Sequence, residues 1–160
     1  KDFCQISGIG PAKAITIIAA IELGGRRKKA ESTSQFIRSS YDAYSYFRPT
    51  LQDKEYEEFW VLFLNRANKI LKSEKISDGG ISHTVADPKR IFKAALENSA
   101  SHLVLCHNHP SGNLEPSPAD HSLTKKLIAA AKNLDMTIID HIIVTDGGYY
   151  SFADEGEIEE

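Results

Sequence analysis

Two histidines spaced two apart, His107 and His109, close the apolar run Leu103-Val104-Leu105-Cys106. The run is short, apolar or branched, and bounded by polar residues, which predicts a buried strand. Residues i and i+2 of a strand point to one side, so both imidazoles project together from its end. Pro110 and Gly112 then stop the strand and turn the chain. Two neutral imidazoles converging on one side suit a zinc ion, with Zn–N bonds of roughly 2.0–2.1 Å. The fold must therefore bury this strand while leaving its end open.

Ser117 and Asp120 follow at S-x-x-D spacing. Ser117 at N-cap, Pro118 at N1 and an acid at N3 predict a helix start. Ala119, Leu123, Leu127, Ala131 and Leu134 recur at helical spacing behind it. Capping alone would explain Ser117 and Asp120. It would not explain the H-x-H upstream. Both readings hold together if one helix N-terminus orients Asp120 as an oxygen ligand while Ser117 faces the same cleft.

The H-x-H-P, the seven-residue gap and S-x-x-D resemble the JAMM motif of the JAB/MPN metalloproteases. The fuller string HNHPSG…PS-x-x-D resembles the bacterial RadC branch. The likeness extends to Asp87–Leu96, to Leu134–Val144 with Asp140-His141, and to Gly8-Ile9-Gly10-Pro11-Ala12-Lys13-Ala14. It implies an α/β fold related in shape to cytidine deaminases. The H-x-E and P-C-x-x-C of the deaminases themselves are absent. His107-Asn108-His109 spells HNH only by coincidence, because HNH nucleases spread those residues over tens of positions.

The 160 residues allow one ordinary domain with a small appendage. Apolar content of 41% and charged content of 26% are those of a soluble globular protein. The net charge of −3 gives no global attraction to nucleic acid. No apolar run approaches the ~20 residues of a membrane span, and no signal-peptide pattern occurs. Starting at Lys1 and not Met, the chain is expected to have lost a longer N-terminal part. Cys4 and Cys106 form no C-x-x-C and no framework of pairs, which predicts a reducing, cytoplasmic setting with Cys106 as a small buried hydrophobe.

Residues 1–31 are expected to form a partial helix-hairpin-helix segment and a basic linker, with the main domain over 32–160. Gly8-Ile9-Gly10 before a helix from Pro11 leaves free N–H groups at a positive helix end, and Lys13 adds charge. Ala14, Ile17, Ile18 and Ile21 form its apolar stripe. Gly24-Gly25 reads as a helix stop before the cations Arg26, Arg27, Lys28 and Lys29. Residues 8–13 and 26–29 are thus candidates for weak contact with a DNA backbone; a plain helix with a glycine N-terminus explains the first at least as well, and for the second, adjacency to the glycine turn favours phosphate slightly over a solvated linker.

In the main domain, Ser32 or Ser34 is expected to cap a helix through about Phe47, with Phe36, Ile37, Tyr41 and Tyr44 on one side. Phe59–Leu64 reads as a buried strand, Asn65–Asn68 as a turn and Lys69–Ser77 as a returning strand. Asp78–Gly80 reads as a loop, and His83–Ala86 as a short strand. Asp87-Pro88 caps a helix to about Asn98. Strands are expected at the His107 run and Met136–Val144, the latter turning at Asp146-Gly147-Gly148 into Tyr149–Phe152. The acidic end, Glu155–Glu160, reads as disordered. The sum is a mixed, largely antiparallel sheet flanked by helices, plus a small N-terminal helical segment.

Ligands His107, His109 and Asp120 would leave one zinc position open, as in catalytic rather than structural sites. Bound water there would reach a pKa of roughly 7. The resemblance implies a glutamate base at the start of an upstream strand, with the serine of S-x-x-D, here Ser117, stabilising the oxyanion. Glu57 matches best; Glu58 would face the other side, and Glu74 lies on the next strand. His141 reads as an outer partner of a ligand or a packed polar residue. His83, His102 and His121 lack ligand spacing. The expected function is a zinc-dependent hydrolase acting on a peptide or isopeptide substrate, in a branch labelled as DNA repair. The alternative is a nucleic-acid-associated repair protein whose metal site is structural or vestigial.

Overall fold

A computed structural model describes residues 3–31, 35–78 and 86–158, with only the backbone given for Cys4, residues 25–31 and Asp78. The chain divides into two compact units, Lys1–Thr33 and Ser34–Glu160. The first holds a short 3-10 turn, Phe3–Gln5, and helix α1, Pro11–Glu31. Gly8 takes a left-handed φ of +85° in the loop before α1, and the Lys13 ammonium donates to its carbonyl at 3.1 Å. The expected stop at Gly24-Gly25 is overturned, since α1 runs through both glycines. Each glycine costs about 1 kcal/mol of helix propensity, but neither removes a hydrogen bond as proline would, and the flanking Ala, Leu, Arg and Lys are good helix formers. Of the expected stripe, Ala14 is buried and Ile17 half-buried, whereas Ile18 and Ile21 are exposed.

In the second unit one sheet carries the architecture. Its strands are β1 (Glu58–Leu64), β2 (Ile70–Asp78), β3 (His102–Asn108), β4 (Thr137–Thr145) and β5 (Gly148–Ser151), in the order β2-β1-β3-β4-β5. All pairings are antiparallel except β3 with β4. That parallel pair needs a crossover, supplied by helix α4, Pro118–Lys132. Helix α2, Ser40–Leu51, covers one face; α3, Pro88–Glu97, and α4 cover the other. Burial on both faces explains why β1 and β3 read as unbroken apolar runs. Phe59, Val61, Phe63, Leu103 and Leu105 point towards α3 and α4, while Leu62, Leu64, Val104 and Cys106 point towards α2.

The β3–β4 register slips by one residue. Leu103 pairs with Ile138, but Val104 pairs with Asp140 and Leu105 with His141. This bulge exchanges the faces of everything after it on β4. His141 thereby lies on the side of Leu105 and His107.

Several sequence expectations are corrected. The first helix of this unit is capped by Ser39, whose hydroxyl accepts from Asp42 N–H, and it extends to Leu51. Ser32 and Ser34 lie outside the described residues. Phe36 and Ile37 are not helical: Phe36 bridges Lys69, and Ile37 N–H donates to the Asn68 carbonyl. Tyr41 is exposed, leaving Ala43, Tyr44, Phe47 and Leu51 as the buried face. Leu134 falls beyond the end of α4. Of the acidic end, residues 155–158 are ordered, and Glu159 and Glu160 lie outside the described residues. Glu157 accepts from Tyr150 Oη at 2.5 Å and lies 2.7 Å from His121 Nδ1, and Ile158 packs on the core. Most of the expected 83–86 strand and residues 79–80 lie outside the described residues; Ala86 is buried but not in a strand.

Candidate metal centre

β3 delivers both histidines. His107 is its penultimate residue, and His109 follows its end, held by its N–H to the Val144 carbonyl of β4 at 3.0 Å. Gly112 turns the chain with φ +79° and donates back to the His109 carbonyl. The carbonyl of Asn113 then sits 2.7 Å from His109 Nδ1. A carbonyl only accepts, so Nδ1 carries the proton and Nε2 keeps a lone pair.

α4 delivers the carboxylate. Ser117 and Asp120 form a reciprocal capping box, with Asp120 N–H donating to Ser117 Oγ at 3.2 Å. Ser117 N–H and Oγ–H both donate to Asp120 Oδ2 at 2.7 Å. The cap and the cleft are thus served by one pair of side chains, both half-buried.

The three candidate ligands converge. His107 Nε2 lies 3.0 Å from His109 Nε2 and 3.3 Å from Asp120 Oδ1, and His109 Nε2 lies 3.6 Å from Asp120 Oδ2. Tetrahedral zinc with bonds of 2.0–2.1 Å places its ligands about 3.3 Å apart. The separation of the two imidazole nitrogens, and that of each from its nearer Asp120 oxygen, lie close to that value, and one ligand atom from each of the three residues lies within 4.8 Å of the others. Two imidazole nitrogens and one carboxylate oxygen are also a donor set that zinc accepts. The group could therefore hold a divalent ion.

The electrostatics suit a cation. Burial pushes His107 down to about 4, opposed by the Asp120 charge and reinforced by His109, so its imidazole is neutral at pH 7. His109 is raised, first by the neighbouring Asp120 carboxylate, against burial. Burial raises Asp120, but His109, His107 and the two Ser117 donors outweigh it and hold the carboxylate well below its usual range. Neutral His107 and ionised Asp120 are the forms that a metal requires.

Glu57 immediately precedes β1 and is half-buried. The antiparallel register pairs Phe59 with His107, so continuing it brings Glu57 level with His109. It lines an open cleft of about 900 Å³ with His109, Ser117 and Asp120. Glu58 turns away. Its carboxylate takes the Trp60 indole N–H at 2.9 Å and pairs with Lys54 at 3.1 Å and Lys75 at 3.7 Å. Glu74 is tied to Lys72 and Arg90. His102 contacts Asn68, His121 contacts Glu157, and His83 lies outside the described residues.

Three contributors escaped sequence reasoning. Asn108 clamps the peptides on both sides of Glu57: its Oδ1 accepts from Glu58 N–H at 2.8 Å, and its Nδ2 donates to the Tyr56 carbonyl at 3.0 Å. Its place between the two histidines was the available signal. Thr124 and the Asn113 carbonyl contact histidine ring nitrogens. A threonine one turn after Asp120 carries no motif, and a backbone acceptor has no sequence signal.

The family model of the RadC-like JAB domain matches residues 37–157, which contain every residue of this site. A UPF0758 protein of Flavobacterium johnsoniae is 50% identical over 95% of this chain and 67% of its own length. One from Porphyromonas gingivalis is 45% identical, over 93% of this chain and 66% of that protein. One from Methanosarcina mazei is 39% identical, over 97% and 68%. The chain thus spans about two thirds of the length of these relatives. Among the described residues, no helix is long and apolar enough to cross a membrane. On the family match and on these identities, this chain belongs to the RadC-like JAB domain family.

Proposed function

We propose that this domain is a zinc-dependent hydrolase of amide or isopeptide bonds. The convergence of His107, His109 and Asp120, the last two lining an open cleft that Glu57 also lines, carries the reading. Three protein ligands leave a place free, whereas a structural zinc is closed by four. A zinc ion held there supplies Lewis acidity and acidifies water at neutral pH.

The remaining roles fall to this chain's own groups. Glu57 takes the proton of the attacking water and returns it to the leaving nitrogen. The Asn108 clamp fixes the backbone from which that carboxylate projects. Ser117 Oγ turns to donate to the carbonyl oxygen as negative charge develops there. Its backbone N–H stays on Asp120 Oδ2, so the ligand remains oriented while the hydroxyl moves. The cleft, at about 900 Å³, has room for an extended chain on either side of a scissile bond.

The test is turnover by zinc-loaded protein on peptides and isopeptide-linked conjugates, beside Glu57→Gln with its zinc content checked. Parent turnover lost in a variant that keeps its ion supports the assignment. A loaded parent that cleaves nothing in the panel refutes it and favours a nucleic-acid-associated protein with a structural ion.

A further inference from the structure

The hydrogen bonds behind His107 run in one direction only. Thr124 Oγ1 lies 2.6 Å from the Asp120 carbonyl, one helical turn earlier on α4. Two oxygens that close require a proton between them, and the carbonyl has none to give. The threonine hydroxyl therefore donates there, a common habit of threonine inside helices. Its second contact is His141 Nδ1 at 2.7 Å. With its only proton committed, the hydroxyl accepts from that nitrogen, which must carry the ring proton of His141.

His141 is fully buried, stacked on Phe152 at 4.8 Å and edge-on to Phe59 at 5.6 Å. Its ring nitrogens meet a hydroxyl and an imidazole, and no carboxylate contacts them among the described residues. It holds one ring proton there, and Nδ1 has it. Its Nε2 is then an acceptor, 2.9 Å from His107 Nδ1, which must donate. His107 Nε2 is left with its lone pair facing His109 Nε2 and Asp120 Oδ1.

We infer that Thr124 and His141 are positioning residues whose hydrogen bonds lock His107 in the tautomer that offers Nε2 to a metal. The inference rests on the metal-centre reading above. Most ligand histidines donate to a carboxylate, carbonyl or water. A carbonyl settles the tautomer by itself, as Asn113 does for His109. An imidazole cannot, because it donates or accepts equally well. If His141 carried its proton on Nε2, His107 would carry its own on Nε2 and could not ligate. Thr124 removes that choice. The β4 bulge is the second requirement, since it presents His141 and not Asp140 to His107.

The tautomers are read directly by long-range 1H–15N correlation of histidine rings in chelator-stripped protein at pH 8. His107 and His141 are both expected to carry the proton on Nδ1. Zinc affinity, measured by competition with a chromophoric chelator, is expected to fall ten- to hundred-fold in Thr124→Val. Thr124→Ser, which keeps the hydroxyl, should stay within about twofold of the parent. A proton on His107 Nε2 in the parent overturns the inference. So does a folded Thr124→Val with parental zinc affinity, or a Thr124→Ser as weak as the valine variant. If the valine variant does not fold, the parental tautomers and the serine variant decide. None of these readouts involves substrate, so a protein that hydrolyses nothing leaves them intact. Expected tautomers in a parent that binds no zinc would refute the metal reading and leave the hydrogen-bond order standing.

Discussion

Replacing Asp140 by asparagine should stabilise the protein at neutral pH and leave it nearly unchanged in acid. Asp140 is 6% exposed. Its carboxylate accepts from His141 N–H at 2.7 Å, Ala153 N–H at 3.1 Å and the Ser151 hydroxyl at 2.8 Å. Burial raises its pKa from 3.8 to about 6, the three donors notwithstanding. The folded state thus binds the proton more tightly than the unfolded chain. The stability penalty is absent below the unfolded value near 4 and complete above about 6. A shift of some two units amounts to roughly 3 kcal/mol, about half of it developing above pH 5. In Asp140→Asn the amide oxygen still accepts from both N–H groups, and the amide NH2 turns towards Ser151 Oγ. His107 and His141 have lowered values, so their contribution rises with pH and blurs the parental curve. Subtracting parent from variant at each pH cancels them. The assay is urea unfolding of both proteins, ion-free, from pH 4 to 8. A difference that stays flat with pH, or that favours the parent as pH rises, would refute the reasoning.

Other outcomes follow from the same geometry. Zinc at a hundredfold excess over its Kd should stabilise the parent by about 3 kcal/mol, read as a rise in Tm, and leave His107→Ala unmoved. Glu57→Gln should lower turnover by roughly two to four orders of magnitude with zinc retained, whereas Glu58→Gln should mainly lower stability by loosening Lys54 and Trp60. Ion-free protein should lose stability as pH falls from 6.5 towards 4, because the unfolded chain gains protons that buried His107 refuses; acid titration by circular dichroism measures it. Binding of duplex DNA through residues 8–13 and 26–29 should be weak and steeply salt-dependent, by about 0.9 in log K per log salt for each phosphate; tight, salt-insensitive binding in fluorescence anisotropy would contradict it.

The site was legible where its information is local. His107, His109, Ser117 and Asp120 lie within one strand end and one helix start, and period-2 alternation and capping chemistry read both. The two-faced apolar runs of β1 and β3 pointed to the sheet. Long-range order was harder. The β4 bulge leaves no mark in the sequence, so the partnership of His141 with His107 and Thr124 had to come from the structure. Ser39 lost to Ser32 and Ser34 as the expected cap because nothing local says that Phe36 bridges Lys69. The acidic end looked disordered because charge runs usually are, yet Tyr150 and His121 hold Glu157.

The bulge also sets the charge that a metal ion at this group would meet. With His141 behind His107, the donor set carries one negative charge, that of Asp120, against the two positive charges of a divalent ion. A divalent ion held there would keep one net positive charge. Had β4 continued in the register that Leu103 and Ile138 set, Asp140 would lie beside Leu105, and its carboxylate would face His107 in place of the imidazole. That second anion would neutralise the centre: the ion would be held more tightly and act more weakly as an acid. One extra residue in β4 therefore decides whether an imidazole or a carboxylate backs His107.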